Sequence, residues 1–281
     1  MGANVKTIRN RIRSVDSTMH ITKAMQLVAS SKLRRATERM EKSRFFFETM
    51  ESSLSSLGFD LAGSAYAASR KEGERLFVVI AGDRGLAGGY NSNIFRTVKE
   101  TAGDEPYAVL PIGRKALDYF RRRGTPIAEG VRASLEELTM AECAAVGRAL
   151  AEGFRDGRYR EITLIYTRYL SMLSQTPAQL PLLPLRERET AREGAHPFVL
   201  FEPSESEVLS AIMPDYLAGL VYGAVCESYA SELAARRAAM ESASKNAEEM
   251  IEELSLKYNR ARQSAITQEI TEIIGGSGAE Q

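Results

Sequence analysis

The stretch VVIAGDRGLAGGYN, residues 78–91, carries the residue types most able to do chemistry. An apolar run ends in a glycine-rich turn, and a helix-like segment follows. In α/β proteins such a turn often holds a phosphate, because backbone N–H groups at a helix start attract anions. Neither familiar phosphate pattern is present. A Walker turn needs a lysine and a serine or threonine after its last glycine, whereas Tyr90 and Asn91 follow here. The spacing of Gly82, Gly85, Gly88 and Gly89 also departs from G-x-G-x-x-G. Asp83 would place negative charge where a phosphate should sit, and Arg84 would attract an acid. A carboxylate on another protein fits the turn better than a small-molecule phosphate.

Other reactive residues are sparse. His20 and His196 stand in no metal or triad spacing and read as structural or exposed. Cys143 and Cys226 are far apart and form no CxxC, which argues against a disulfide framework or zinc site and fits a reducing interior. The 281 residues include 37 basic and 37 acidic side chains, so net charge gives no pull toward nucleic acid or membrane. Uninterrupted apolar stretches fall short of the roughly 20 residues that span a bilayer. The N-terminus lacks the apolar core of a secretory signal. No catalytic residue, cofactor or metal ligand is expected.

The elements that must position the turn are marked by helix breakers. Residues 3–57 and 224–274 contain neither glycine nor proline, and all nine prolines lie between Pro106 and Pro214. Such uninterrupted ends suggest coiled-coil helices, each about 75–80 Å long. From Val5, steps of three and four give Ile8, Ile12, Val15 and Met19, then polar Thr22 and Gln26. The register continues through Ala29, Leu33, Ala36, Met40, Ser43, Phe47, Met50, Leu54 and Leu57. One heptad phase thus survives the whole segment. Ile21, Met25 and Val28 add a second apolar stripe that a single partner helix would not cover. At the other end, Leu233, Met240, Ala247, Ile251, Leu254, Tyr258, Ala261 and Ala265 form an alanine-rich seam. Ile266, Ile270, Ile273 and Ile274 shift to a neighbouring stripe, and GGSG should stop the helix.

Residues 1–57 carry a net charge of +6 and residues 224–281 one of −4, which modestly favours pairing of the two ends. A chain that leaves one helix and returns along the other must pair them antiparallel. Between them, RLFVVIAG, YAVLPIG and EITLIYTRYLS read as strands. Helical stretches near 91–102, 114–123 and 139–156 alternate with them, which predicts a mostly parallel sheet. PAQLPLLPL reads as an edge or extended segment, and PFVLFEP as a last strand. The expected organisation is an N-terminal coiled-coil helix (1–60), a central Rossmann-like α/β domain (75–203) and a C-terminal helix (205–276) that pairs with the first.

Three blocks carry a family resemblance: IRNRIRSVDSTMHITKAMQLVASSKLRRA (8–36), DRGLAGGYN (83–91) and SELAARRAAMESASKNAEEMIEELSLKYNRARQSAITQEITEII (231–274). In that order they resemble the signature regions of the γ subunit of bacterial-type F-type ATP synthases, the central rotor shaft. Two departures stand out: Ala87 replaces the cysteine of many members, and the cysteine-bearing insert of chloroplast members is absent.

The resemblance implies a non-catalytic central-stalk subunit that couples ion flow through a membrane ring to ATP synthesis or hydrolysis. It implies an antiparallel shaft inside an α3β3 hexamer, with the ε subunit and the c-ring as further partners and no nucleic acid. It places the protein peripherally on the cytoplasmic face of the bacterial plasma membrane. Contacts with the β subunit are implied for Lys23, Met25, Val28, Arg84, Gly85, Gly88, Gly89, Arg262 and Gln263. Ile270, Ile273 and Ile274 would form a bearing tip inside an apolar collar. Two other readings compete. An α/β enzyme with a helical arm would need a phosphate lysine or an acid/base constellation, and none is found. A static coiled-coil scaffold would leave the glycine turn and the polar breaks at Thr22 and Gln26 without a purpose.

Overall fold

The computed structural model describes residues 2–57, 59, 64–129, 134–185 and 200–278. The elements run α1 (Gly2–Leu57), β1 (Glu74–Ile80), α2 (Tyr90–Ala102), β2 (Tyr107–Ile112), α3 (Arg114–Arg122), α4 (Met140–Arg155), β3 (Tyr159–Tyr169), β4 (Gln175–Leu183) and α5 (Glu205–Gly278). They divide into two compact units, Met1–Ala29 with Arg237–Gln281, and Ser30–Arg236.

In the first unit the two chain ends pair. Thr22 Oγ1 meets Ser244 Oγ at 2.7 Å, and Lys23 Nζ meets Glu248 Oε1 at 2.6 Å. Arg11 lies near enough to Glu253 to lower its pKa, behind the larger effects of Lys257. Numbers that fall along α1 rise along α5, so the helices are antiparallel. The heptad residues Val5, Ile8, Ile12, Val15 and Met19 are each half-buried, and Ala29 is fully buried. Ala247 and Leu254 are buried opposite.

The second unit is built on a four-stranded sheet of order β2-β1-β3-β4. β1 pairs parallel with β2 and β3, and β4 closes the edge antiparallel to β3. Central β1 is buried from Leu76 to Ile80, as a parallel strand covered on both faces should be. Its side chains alternate between two cores. Leu76, Val78 and Ile80 pack with α4 and α5, through Leu150, Phe154, Leu217 and Val221. Phe77 and Val79 pack with α2 and α3, through Ile94, Val98, Ala116 and Phe120. β4 bears Pro177 and Pro181, which an edge strand tolerates because it needs no donor on its open side. α1 and α5 pair in this unit too, with Leu33, Ala36 and Met40 against Cys226, Ala230, Leu233 and Ala234.

α4 starts with a full capping box, Thr139 and Glu142 each bonding the other's backbone N–H. The Thr139 N–H and then its hydroxyl, both donating to the Glu142 carboxylate, hold that carboxyl below its usual pKa. Helix α4 approaches α5 at Gly147, where an added Cβ would lie 2.2 Å from the Pro214 carbonyl oxygen. Pro214 sits inside α5.

Three expectations need correction. The helix does not stop at Gly275–Gly276 but continues to Gly278, since glycine permits a left-handed stop without imposing one. Residues 200–203 of PFVLFEP are irregular, and 197–199 lie outside the described residues. α5 also contains an 18-residue window apolar enough, by length and composition, to cross a membrane. Half of that window is buried within the chain. Leu209, Met213, Leu217, Leu220 and Val221 of α5 owe their apolar character to the sheet core they fill.

Candidate functional site

The glycine turn lies at the C-terminal end of β1, the usual binding edge of an open α/β sheet. Its backbone is fixed from several sides. The Gly82 N–H donates to Asn91 Oδ1 at 2.9 Å, and Asn91 Nδ2 donates to the Arg84 carbonyl at 3.3 Å. The Lys115 N–H donates to the Gly82 carbonyl at 3.0 Å. Asp83 accepts from the Arg114 N–H at 3.2 Å and from the Leu135 N–H at 2.9 Å. Its carboxylate thus occupies the start of α3 as an anion supplied by the chain itself.

Beneath the turn lies an ion pair that spacing alone did not single out. Glu232 is 3 % exposed, and its Oε1 lies 2.5 Å from Arg236 Nη2, one helical turn along α5. The Arg84 N–H also bonds this carboxylate, and Arg236 reaches the Gly85 carbonyl at 3.4 Å. Burial raises the Glu232 pKa and Asp83 adds to the rise, while Arg236 and the Arg84 N–H oppose it. A side chain on Gly82 would collide with this carboxylate, 2.8 Å from the position of its Cβ. Tyr90 is buried beside the pair, with its hydroxyl donating to the Ser228 carbonyl at 3.0 Å. Burial first, and then the charge of Glu232, push the phenol pKa up. The only sequence signal for the pair was an i, i+4 Glu–Arg spacing, which is usually a solvated face.

What remains outward is Arg84, Gly85, Leu86, Gly88 and Gly89, all exposed, whereas Ala87 is buried. The turn therefore presents a cation and backbone to solvent from a locked base.

The other predicted contacts lie in the unit formed by the chain ends. Lys23 is exposed and paired with Glu248, Met25 is half-buried, and Val28 is 57 % exposed. Ile21 and Leu27 are exposed beside them, so the second stripe is not covered by the chain's own helix. Arg262 and Gln263 are both exposed. Ile270 and Ile274 are exposed, with Ile266 on the same stripe. Ile273 lies in the helix, and its side chain is outside the described residues. Among the described residues no group of three or more His, Cys, Asp or Glu is placed to hold a metal.

A family model described as ATP synthase matches residues 4–279. The ATP synthase gamma chain of Ruminococcus albus is 43 % identical, over 98 % of each chain. The chain belongs to the ATP synthase gamma-chain family. A relative from Acetobacterium woodii, named as a sodium-ion-specific ATP synthase gamma chain, is 39 % identical over 99 % of each chain. A chain of the Euglena gracilis mitochondrial ATP synthase, in its OSCP/F1/c-ring structure, shares the fold with a TM-score of 0.72 at 20 % identity. That match covers 99 % of this chain and 95 % of the other. A chain of the Tetrahymena thermophila central stalk and c-ring matches with a TM-score of 0.60 at 26 % identity, over 80 % of this chain and 99 % of the other. The antiparallel helix ends and the α/β sheet are thus the fold of this family.

Proposed function

We propose that the protein is the non-catalytic rotor of an ion-translocating F1Fo ATP synthase. It turns within an α3β3 hexamer and couples ion flow through the c-ring to ATP synthesis or hydrolysis on the β subunits. Its further rotor partner is ε, and it sits peripherally on the cytoplasmic face of a bacterial plasma membrane through the complex. Three regions define the proposed organisation: the coiled-coil helix 1–60, the α/β domain 75–203, and helix 205–276.

The observation that carries this reading is the antiparallel pairing of α1 with α5 in the unit formed by the chain ends. Two paired helices cannot have threefold symmetry. Three identical β subunits around them must each meet a different face, so their states differ, and rotation exchanges the faces. Moving one β subunit from 1:99 to 99:1 between two states needs about 5.5 kcal/mol of differential contact energy. Charged hydrogen bonds are worth about 1.5–3 kcal/mol each, so a few suffice.

The exposed polar groups Lys23, Arg84, Arg262 and Gln263 supply such contacts to β, with Met25 and Val28 beside Lys23. Gly85, Gly88 and Gly89 let an acidic β loop approach the turn's backbone. Ile270, Ile273 and Ile274 form a tip in which apolar contact, being non-directional, lets rotation proceed without breaking hydrogen bonds.

A reversible cross-link tests the proposal. Arg84→Cys is joined by a disulfide to a cysteine placed in the acidic loop of β, in the assembled complex. Both native cysteines are buried and do not compete. A rotor stops when linked and resumes on reduction. Undiminished ATP hydrolysis in the linked complex would leave a static scaffold as the better account.

A further inference from the structure

Among the described non-glycine residues, Leu86 alone has a positive φ, at 63°. Leucine is disfavoured there because its Cβ crowds the following carbonyl oxygen. Core packing does not account for it, since Leu86 is 65 % exposed. Glycine would take this backbone without strain, and the turn already holds several glycines. The conformation is imposed from below, by Asn91 on either side of Asp83 and by the buried Glu232–Arg236 pair under Arg84 and Gly85. Strain held in place by its surroundings, on a side chain that its own chain leaves mostly exposed, is a mark of a functional position.

We propose that Leu86 is a partner-contact residue. It lies two residues after Arg84 in the turn, and both residues are exposed above the locked base. The surface they recognise is an acidic group flanked by an apolar pocket, on the β loop that the turn faces. This rests on the reading that the turn meets that loop, and it adds to it. Charge alone would be satisfied by Arg84 and could form in several orientations. An apolar anchor fixes one orientation by excluding water from the pocket, and that strengthens the neighbouring ion pair. Holding the leucine in place before contact removes an ordering cost at each encounter.

The test uses complexes assembled with Leu86→Asn, Leu86→Gly, Leu86→Met and Arg84→Ala. Asparagine and glycine both accept the left-handed backbone, so neither variant should unfold the turn. The isolated full-length chain should keep its Tm, or gain about 2 °C as strain is relieved. ATP-driven ion pumping should fall about fivefold in Leu86→Asn and Leu86→Gly, and stay within about twofold of the parent in Leu86→Met. Failure of the Asn variant to assemble, with an unchanged Tm, also supports a contact. Normal pumping in Leu86→Asn overturns the inference, even if Leu86→Gly is slow, because only loop stiffness would then matter. Normal pumping in Arg84→Ala would instead overturn the reading that the turn meets an acidic loop.

Discussion

The hydroxyls of Thr22 and Ser244 lie 2.7 Å apart although 222 residues separate them in the chain. Thr22 donates its own proton to the Met19 carbonyl at 2.9 Å, so Ser244 is the donor between the two. A polar pair thereby sits in a mainly apolar seam, and it fixes the register of α1 against α5 at that level. Thr22→Val removes the acceptor and leaves the buried Ser244 hydroxyl short of a partner. Loss of one partner costs about 1–3 kcal/mol, whereas replacing both by apolar groups can be nearly neutral. Denaturant unfolding of Thr22→Val should therefore show a clear loss, and Thr22→Val with Ser244→Ala should recover most of it. Equal losses in single and double variants would mean that the hydrogen bond contributes nothing.

Gly147 offers a sharper steric test. A Cβ there would lie 2.2 Å from the Pro214 carbonyl oxygen, 2.8 Å from the Ala218 nitrogen and 3.0 Å from the Ala218 Cβ. Two of those atoms belong to backbone and cannot swing away. Helix propensity alone would make Gly147→Ala stabilising by up to about 1 kcal/mol. Overpacking costs about 1–3 kcal/mol and occasionally more, so the collision outweighs propensity. The expected result is a net loss of stability, read as a lower denaturation midpoint. A raised midpoint would show that α4 and α5 can separate without cost.

Much of the fold was legible because its periodicities are long and unbroken. Val5 to Met19 and Leu33 to Met40 repeat at heptad spacing, and those residues are the ones the helix pairing shields. The strands were legible because RLFVVI, YAVLPI and ITLIY are dense in residues that suit a sheet buried on both faces. The seat under the glycine turn was not legible. Glu232 and Arg236 look like an ordinary surface pair until Gly82 and Arg84 are laid against them from 150 residues away. Asp83 was visible as a charge hostile to phosphate, but its bonds to Arg114 and Leu135 depend on tertiary contact. The stop at Gly275–Gly276 failed because it was a local signal alone: glycine permits a left-handed stop but does not impose one.

Lys32 and Glu136 give a pH-dependent contact within the sheet-bearing unit. Lys32 Nζ donates to both carboxylate oxygens of Glu136, at 2.7 and 2.8 Å. That hydrogen bonding, opposed by desolvation and aided by the charge of Lys32, lowers the Glu136 pKa from its ordinary 4.5. A depressed carboxylate contributes stability above its unfolded pKa and loses it as pH falls through the folded value. The contribution should thus be present at neutral pH and fade below about 4.5. Both side chains are about half exposed, so salt should weaken it. Glu136→Gln should flatten the acid limb of a stability-versus-pH curve, and added salt should narrow its difference from the parent near neutrality. A parallel displacement of the curve at all pH values would assign the effect to packing.

The two thiols should be silent in the native chain. Cys143 is fully buried, and burial pushes its pKa up to about 12. Burial raises Cys226 as well, though Arg39 and its hydrogen-bonding neighbours oppose the rise. The thiolate is the reactive species, so neither group presents it near neutral pH. A disulfide reagent should titrate no thiol in the native protein and both after denaturation. Rapid native reaction at either would indicate an opening of the helix contacts around it.

Arg262 and Gln263 lie on the exposed face of α5, outside the seam that Leu254 and Ala247 close. Their removal should therefore leave the helix pair intact. Alanine is also a better helix former than either residue, so stability should not fall. In the complex the same change removes two polar side chains assigned to β. If even one of those hydrogen bonds forms only in the state that limits turnover, its loss of about 1.5 kcal/mol slows the cycle about tenfold. Arg262→Ala with Gln263→Ala should then assemble normally and hydrolyse ATP about tenfold more slowly. Each single variant should fall between the parent and the double. The measurement is turnover per assembled complex at saturating ATP, alongside the thermal midpoint of the isolated chain. Parent-like turnover in the double variant would remove both residues from the contact set, and a fall in midpoint would assign the slowing to the helix itself.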